Sequence, residues 1–219
     1  MSTLTTPPVS TLLARLFAEA DASDRDVRAH LGQLPAAERD PAHYHRLYGH
    51  ARGHFLAVSP ETGRLLYLLA RSARARHIVE FGTSFGLSTV HLAAALRDSG
   101  GGRLIGSEFE PTKAARAREH LAAAGLLDLV EVREGDAVES LARDLPAAID
   151  LVLLDGAKVL YPRMLALLEP HLAPGALIVA DNAEQSPDYL ARVRDARAYL
   201  SVSFASEVEV SMRLPGAGG

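Results

Sequence analysis

The amino-acid sequence predicts a doubly wound α/β fold whose sheet is mainly parallel. Short apolar runs, such as residues 77–79 and 149–154, have the length and composition of buried parallel strands. Glycine or proline turns separate these runs from segments in which apolar residues recur at helical spacing. Strands that alternate with helices imply a parallel sheet with helices on both faces.

The first strand, turn and helix read RHIVEFGTSFGLS (residues 76–88), and the rest of the chain is organised around them. Gly82 and Gly86 form a turn at which the backbone can approach a ligand closely. Glu80 ends the strand, and we expect its side chain to point into the crevice at the carboxyl ends of the strands, where such sheets bind ligands.

The other elements follow in chain order. Ser59 can cap a helix before the first strand, and Pro60 suits the first position of that helix. The second strand, residues 103–107, ends in Glu108, and Pro111 opens the next helix. The remaining predicted elements are a strand at 130–132, a helix at 161–172, a turn at Pro174 and Gly175 that leads into a strand at 176–180, and a closing antiparallel pair at 200–204 and 208–214.

Glu80 and Glu108 together predict the type of ligand. A dinucleotide site would have G-x-G-x-x-G, whereas this turn has two glycines and an adjacent acid that disfavours a pyrophosphate. An acid at the end of the second strand usually accepts hydrogen bonds from ribose hydroxyls. A ligand with a ribose, a positive charge and no phosphate fits both acids, and S-adenosylmethionine is such a ligand.

Composition argues against several functional classes. A chain of 219 residues suffices for one domain, and a net charge of −4 argues against a nucleic-acid partner. The absence of cysteine excludes disulfides and thiolate chemistry. Since no apolar run approaches the roughly 20 residues that span a bilayer, and residues 1–10 lack signal-peptide features, we expect a cytoplasmic protein without a membrane partner.

Oxygen-bearing side chains gather at the carboxyl edge of the predicted sheet: Glu80, Glu108, Asp136, Asp155, Asp181 and Asn182. Each one alone is equally well explained as a helix cap or turn residue. Together they would repel one another unless a cation lies among them. Asp155, Asp181 and Asn182 offer the hard oxygen ligands that suit Mg²⁺. Lys158 either reaches the same crevice or is an ordinary surface lysine.

Over about residues 50–200 the chain resembles the catechol and caffeoyl-CoA type O-methyltransferases, which are class I enzymes dependent on S-adenosylmethionine. The resemblance rests on five segments, namely VEFGTSFGLST (79–89), GSEFEP (106–111), REGDA (133–137), DLVLLDGAK (150–158) and ADNA (180–183). It implies a Rossmann-like, mainly parallel seven-stranded sheet with an antiparallel C-terminal strand. The chain departs from the family at Gly156, where a bulkier or charged residue is usual, and in the segments after Asn182 and at the C-terminus.

The resemblance also implies roles for individual residues. Glu80 would support the glycine turn and the methionyl ammonium of the cofactor, and Glu108 would bind the ribose. The other implied cofactor-binding residues are Val58, Ser59, Gly82, Thr83, Ser84, Ser88, Phe109, Asp136, Ala137 and Asp155. Asp155, Asp181 and Asn182 would hold Mg²⁺ or another divalent cation. Lys158, with a lowered pKa, would be the catalytic base beside Asp155.

Residues 1–55 carry no strand signals, so we expect a single methyltransferase domain (1–219) with a helical lid (1–55) over a sheet core (56–214). Residues 1–8 are predicted to be a loose tail. The stretch HYHRLYGHARGHF (43–55) carries four histidines. A zinc site is one interpretation, but the spacing fits no common ligand pattern, and we place the stretch over the acceptor pocket.

The expected reaction is methyl transfer from S-adenosylmethionine to a hydroxyl of a small aromatic acceptor of the catechol, hydroxycinnamate or flavonoid type. The alternatives are a metal-independent O- or N-methyltransferase, a nucleotide-binding module without catalysis, and an NAD-dependent oxidoreductase. Lys158 beside Asp155 argues against the second alternative, and the missing G-x-G-x-x-G argues against the third. We expect the enzyme to be a homodimer and not to bind nucleic acid.

Overall fold

The structure, a computed structural model, describes residues 1–25, 27–35, 38, 40 and 43–216. Within these ranges the strands are β1 (His77–Phe81), β2 (Arg103–Glu108), β3 (Val130–Glu134), β4 (Ile149–Leu154), β5 (Leu172–Ala180), β6 (Tyr199–Phe204) and β7 (Val208–Arg213). The α-helices there are α1 (Val9–Asp24), α2 (Val27–Gly32), α3 (Tyr44–His50), α4 (Pro60–Ser72), α5 (Leu87–Asp98), α6 (Pro111–Ala123), α7 (Ala137–Ser140), α8 (Tyr161–Leu168) and α9 (Pro187–Val193). Among the described helices, none has the length and apolarity needed to cross a membrane.

The described strands form one seven-stranded sheet in the order β3-β2-β1-β4-β5-β7-β6. Neighbours from β3 to β5 are parallel, while β7 is antiparallel to both β5 and β6, which confirms the predicted fold. Phe81 pairs with Leu154, and Leu154 pairs with Ala180. Because these three strands end at the same level, Gly82, Asp155 and Asp181 follow them side by side.

Side chains alternate between the two faces of the sheet, as the pleat requires. In β1, Ile78 belongs to an apolar cluster with residues of α1, α4, α5 and α6, whereas Val79 belongs to one with residues of α7, α8 and α9. Helices therefore cover both faces and leave the carboxyl edge of the strands for a site.

The N-terminal segment differs from its prediction. Leu12, Leu13 and Leu16 of α1 are buried in the apolar cluster on one face, so α1 packs against the core, and the division into a lid (1–55) and a core (56–214) stays a prediction. The predicted loose tail is also wrong, because the backbone N–H and hydroxyl of Thr3 donate to the carboxylate of Asp98.

The region before β5 is the second difference. Helix α8 ends at Leu168, and a short 3₁₀ turn follows, because Pro170 has no N–H with which to continue the helix. Strand β5 begins at Leu172, and Pro174 and Gly175 lie inside it, where the register with β4 shifts. These two residues form an irregularity within the strand, not the predicted turn before it. The predicted cap of α4 is confirmed, since Ser59 Oγ accepts from the N–H of Thr62.

Candidate active site

A cavity lies at the carboxyl edge of the sheet, the position at which such folds bind small molecules. Seven of the predicted site residues line it, namely Gly82, Ser84, Glu108, Phe109, Asp136, Ala137 and Asp155. An adjoining pocket of about 230 Å³ shares Gly82, Ser84 and Asp155 and is also lined by Val58, Thr83 and Ser88. Ser59 lies outside both, on an outer groove, with its hydroxyl occupied in capping α4.

The glycine turn is shaped by close backbone contacts. Gly82 has a φ of +98°, and a Cβ there would lie 2.5 Å from the carbonyl oxygen of Asp155. The N–H groups of Gly82 and Thr83 both donate to the carbonyl of Ser107 on β2. Only glycine fits at position 82, and the turn is thereby fixed against the ends of β2 and β4.

Glu80 does not point into the crevice, which corrects the prediction. Its side chain is fully buried beneath the turn and accepts hydrogen bonds from the hydroxyls of Thr83, Ser88 and Thr89, at 2.9, 2.7 and 2.6 Å. Burial raises the pKa of Glu80 to about 7, although the three hydroxyls oppose this shift. Glu80 therefore supports the turn from below, and the hydroxyls of Thr83 and Ser88 serve that support.

Glu108 lies at the cavity wall and fixes the turn from the side. Its Oε2 accepts from the N–H of Ser84 at 2.7 Å, and its Oε1 accepts from the N–H of Glu110 at 2.9 Å. Burial raises the pKa of Glu108, and these backbone donors and the nearby Lys113 oppose the shift. The carboxylate lies next to the glycine turn, where a ligand with hydroxyl groups can share its oxygens.

Helix α3 lies over the cavity and is joined to Asp136. The hydroxyl of Tyr44 donates to Asp136 Oδ2 at 2.7 Å, and His45 Nε2 lies 3.2 Å from the same oxygen. Burial alone would raise the pKa of Asp136, but hydrogen bonds from Tyr44 and from the N–H of Val138 bring it below its usual value. Tyr44, His45 and Tyr48 all line the cavity, so the covering element is α3.

Lys158 and Asp155 form a buried ion pair at the end of β4. Nζ lies 3.0 Å from Oδ1, and the two side chains are 12% and 10% exposed. Burial would lower the pKa of Lys158, but its contacts with Tyr161 and the carboxylate of Asp155 raise that pKa well above its usual value. In this arrangement the pKa of Lys158 is therefore raised and not lowered by burial as expected, because Tyr161 and Asp155 stabilise the ammonium, while the lowering that a nearby cation would cause stays a prediction.

Asp181 and Asn182 follow β5, beside that pair. Burial and, to a lesser extent, the negative charge of Asp155 together raise the pKa of Asp181 to about 7. The hydroxyl of Tyr161 lies 2.8 Å from the carbonyl oxygens of both Leu154 and Asp181, which ties the two strand ends together. Two buried carboxylates that repel each other, next to the amide of Asn182, suit a divalent cation.

The histidines of the N-terminal stretch point to different partners. His45 contacts Asp136, His50 contacts Glu38, and His54 contacts the carbonyl of Ser23. In the part of the chain that the structure describes, no group of three or more His, Asp or Glu residues is arranged to hold a metal. The zinc interpretation therefore has no support from the described residues.

Two features of the site were missed from the sequence. Thr89 is the third hydroxyl donor to Glu80. Lys113 lines the cavity from α6 although lysine usually lies at the surface. Helical spacing could have revealed Lys113, because it shares one side of α6 with Ala117 and Leu121, four and eight residues later.

Comparisons with known proteins agree with this geometry. A family profile described as a methyltransferase domain matches residues 79–183. The chain is 37% identical over 130 residues to a catechol O-methyltransferase of Niastella koreensis, covering 58% of each chain. It is 38% identical over 146 residues to a catechol O-methyltransferase of Mycobacterium tuberculosis, covering 65% of this chain and 64% of that protein.

Residues 79–183 match a methyltransferase domain, and the relatives that align with the chain are O-methyltransferases. A structural comparison agrees: the O-methyltransferase TomG of Streptomyces achromogenes, solved in complex with S-adenosylmethionine, superimposes with a TM-score of 0.66 at 27% identity, covering 84% of this chain and 92% of that one. The sequence matches span less than two thirds of the two curated relatives. The matched methyltransferase domain runs from β1 to just after β5 and contains the glycine turn, Glu108, Asp155, Lys158 and Asp181.

The glycine at position 156, where the resemblance implies a bulkier or charged residue, has a packing explanation. A Cβ on Gly156 would lie 2.6 Å from Cε1 of Phe81, much closer than a van der Waals contact. The ring of Phe81 thus occupies the space that a side chain at position 156 would need.

Proposed function

We propose that the chain transfers a methyl group from S-adenosylmethionine to a hydroxyl of a small aromatic acceptor. The observation that carries the proposal is the buried Lys158–Asp155 pair beside Asp181, placed at the edge of a cavity that also presents Glu108 and a glycine turn. The similarity to two catechol O-methyltransferases supports the same reaction.

The proposed cofactor site follows the cavity wall. Glu108 would accept hydrogen bonds from the ribose, and Phe109, Asp136 and Ala137 would border the adenine. The methionine end would lie along the turn, with Gly82, Ser84, Val58, Thr83 and Ser88 around it. Glu80 would act indirectly by holding that turn, since its oxygens already have three donors.

A divalent cation fits the acids at the ends of β4 and β5. Asp155, Asp181 and Asn182 would hold it, because the two buried carboxylates raise each other's energy when both are charged. When bound, such an ion supplies a Lewis acid that lowers the pKa of a phenol, ordinarily about 10.

Lys158 Nζ is the proposed proton acceptor. Asp155 keeps this amine protonated in the structure, so Lys158 can act as a base only when the charge of Asp155 is shared with another cation. This dependence connects the two parts of the proposal and makes the base ineffective without the metal.

The proposed acceptor site is an open groove of about 860 Å³ beside Lys158. Apolar side chains form much of it, including Leu47, Val159, Pro162 and Pro187, and Tyr48 lies between this groove and the cavity. A flat aromatic ring suits such walls, and its hydroxyl could reach Nζ of Lys158.

The test combines binding and turnover. We expect S-adenosylhomocysteine, and not NAD, to raise the melting temperature, and we expect Mg²⁺ to restore catechol methylation that a chelator abolishes. Full activity in chelator would favour the metal-independent alternative. The absence of any shift with S-adenosylhomocysteine would contradict the proposal itself. If S-adenosylhomocysteine binds as expected, a product screen across catechols, hydroxycinnamates and flavonoids would identify the acceptor.

We also propose that a second copy of the chain is the protein partner. Leu200, Val202 and Phe204 form an exposed apolar row along the edge strand β6. Exposed apolar rows on edge strands favour association. Light scattering should show a dimer, and Val202→Asp should convert it to a monomer; a native monomer would contradict this.

A further inference from the structure

Lys113 is a buried cation that faces the cavity. It is the third residue of α6, only 6% exposed, and its side chain forms part of the cavity wall. Lysine is almost never buried to this extent without a charged partner, because removing the ammonium from water is costly. The position therefore requires an explanation.

The protein provides few partners for this ammonium. Nζ lies 3.3 Å from Ser84 Oγ and 5.3 Å from the centre of the Phe85 ring. In the described part of the chain it has no ion pair, and this hydroxyl is its one hydrogen-bond acceptor. Of the acids that act on this ammonium, Glu108 has the largest effect, ahead of Asp24, and it already accepts from the N–H groups of Ser84 and Glu110.

An ammonium with N–H groups to spare, at the wall of a cavity, suits an anionic group of a ligand. S-adenosylmethionine carries one anionic group, its carboxylate, and two cationic groups, the sulfonium and the ammonium. Lys113 attracts the first and repels the other two. Ser84, whose hydroxyl lies beside Nζ, belongs to the turn along which the methionine end is proposed to lie.

We propose that Lys113 binds the carboxylate of the cofactor's methionine and so orients the sulfonium away from α6. This inference rests on the proposed function. Lys113 is a positioning residue, because it does not touch the methyl group that is transferred. It makes the site selective for adenosyl ligands that keep their carboxylate.

The test compares two ligands that differ only in that group. Titration calorimetry without acceptor would measure S-adenosylmethionine and decarboxylated S-adenosylmethionine on the native protein and on Lys113→Met. We expect the native protein to prefer the carboxylate by about 10- to 100-fold, the scale of hydrogen bonds to charged groups. Lys113→Met should lose that preference by weakening the first ligand only. Arg116→Met, which removes an exposed cation from the same helix, should leave the preference intact.

Each outcome decides the inference. Equal affinity of the native protein for both ligands, or an equal loss of both in Lys113→Met, would overturn it. Lys113→Gln, which keeps a polar group in the buried position, replaces Lys113→Met if thermal denaturation shows poor folding. If the native protein binds neither ligand, the proposed function fails first, and the two failures are thereby distinguished.

Discussion

The acids at the two halves of the sheet's carboxyl edge differ in how many hydrogen bonds they accept from the chain. Around the glycine turn, Glu80 accepts from three hydroxyls, and Glu108 accepts from two backbone N–H groups. At the ends of β4 and β5, Asp155 has one side-chain partner, Lys158, and the carboxylate of Asp181 has no hydrogen bond within the described residues. The acids of the first half accept several hydrogen bonds from the chain, whereas the acids of the second half accept few.

This difference distinguishes acids that hold the backbone in place from acids that are suited to bind a cation. A buried carboxylate that accepts hydrogen bonds from the chain fixes the backbone around it, and Glu108, with one donor on each oxygen, still has acceptor sites for a ligand. A buried carboxylate with few donors, such as Asp181, favours a cation. The difference therefore supports the proposal that the glycine-turn half holds the cofactor and that the β4–β5 half carries out the reaction.

The largest expected effect tests the reactive half. Lys158→Met should lower turnover by about 10²- to 10⁴-fold, the usual contribution of a general base. Cofactor affinity, measured by calorimetry, should stay unchanged because Nζ faces Asp155 and not the glycine turn. Lys158→Arg serves as the control, since it keeps the charge but cannot accept a proton at neutral pH. Native turnover in either variant would remove Lys158 from the mechanism.

The supporting half should instead control stability through pH. The folded pKa of Glu80, about 7, lies above its unfolded value, so its contribution to stability is fully present below pH 4.5 and is lost as the pH rises through 7. Glu80→Gln removes this loss. Relative to the native protein, the variant should gain about 3 kcal/mol between pH 4.5 and pH 8, measured by urea unfolding in chelator.

Asp98 is expected to show the opposite pH dependence of stability, which makes it a comparison for Glu80. It also accepts hydrogen bonds from Thr3 and Tyr67, but it lies nearer the surface, and the donors lower its pKa although burial opposes them. Asp98→Asn should therefore lose stability at neutral pH and lose less as the pH falls. The same pH trend in both variants would show that burial does not decide the difference.

A smaller effect is expected at the cavity wall. Glu108→Ala should weaken S-adenosylmethionine binding by about 1–3 kcal/mol, because ribose hydroxyls lose a charged acceptor. Glu134→Ala is the matched control, since Glu134 pairs in register with Glu108 on β3 but is exposed and bound to Arg118. Unchanged affinity by calorimetry in Glu108→Ala would reject the ribose assignment.

The smallest effect concerns the cover. Tyr44→Phe removes one hydrogen bond between α3 and Asp136, worth about 1 kcal/mol. We expect stopped-flow measurements to show several-fold faster dissociation of S-adenosylhomocysteine. His43→Ala, which changes a residue paired with Asp40, should leave that rate unaltered. Identical rates in all three proteins would show that α3 does not retain the cofactor.

The sequence was sufficient for the order of strands and helices and for the acids that follow the strands, because apolar periodicity and glycine turns are local signals. It was insufficient for the direction of Glu80, which depends on hydroxyls of α5 that close over it. It also missed the burial of Lys113 and the hydrogen bonds from Thr3 to Asp98, because both depend on contacts between segments distant in sequence. Pro174 misled the prediction, since a bulge and a turn favour the same residues.

At the junction of β1 and β4, the ring of Phe81 fills the space that a side chain at position 156 would need. This restricts the order in which residues 81 and 156 can be substituted. A side chain at position 156 would collide with the ring while Phe81 is present, so substitution there should inactivate first and be tolerated only after position 81 becomes smaller. Variants that reach the larger residue at 156 must therefore pass through a protein with a vacant space at 81. The two substitutions are therefore expected to be tolerated in one order only, with position 81 changing before position 156.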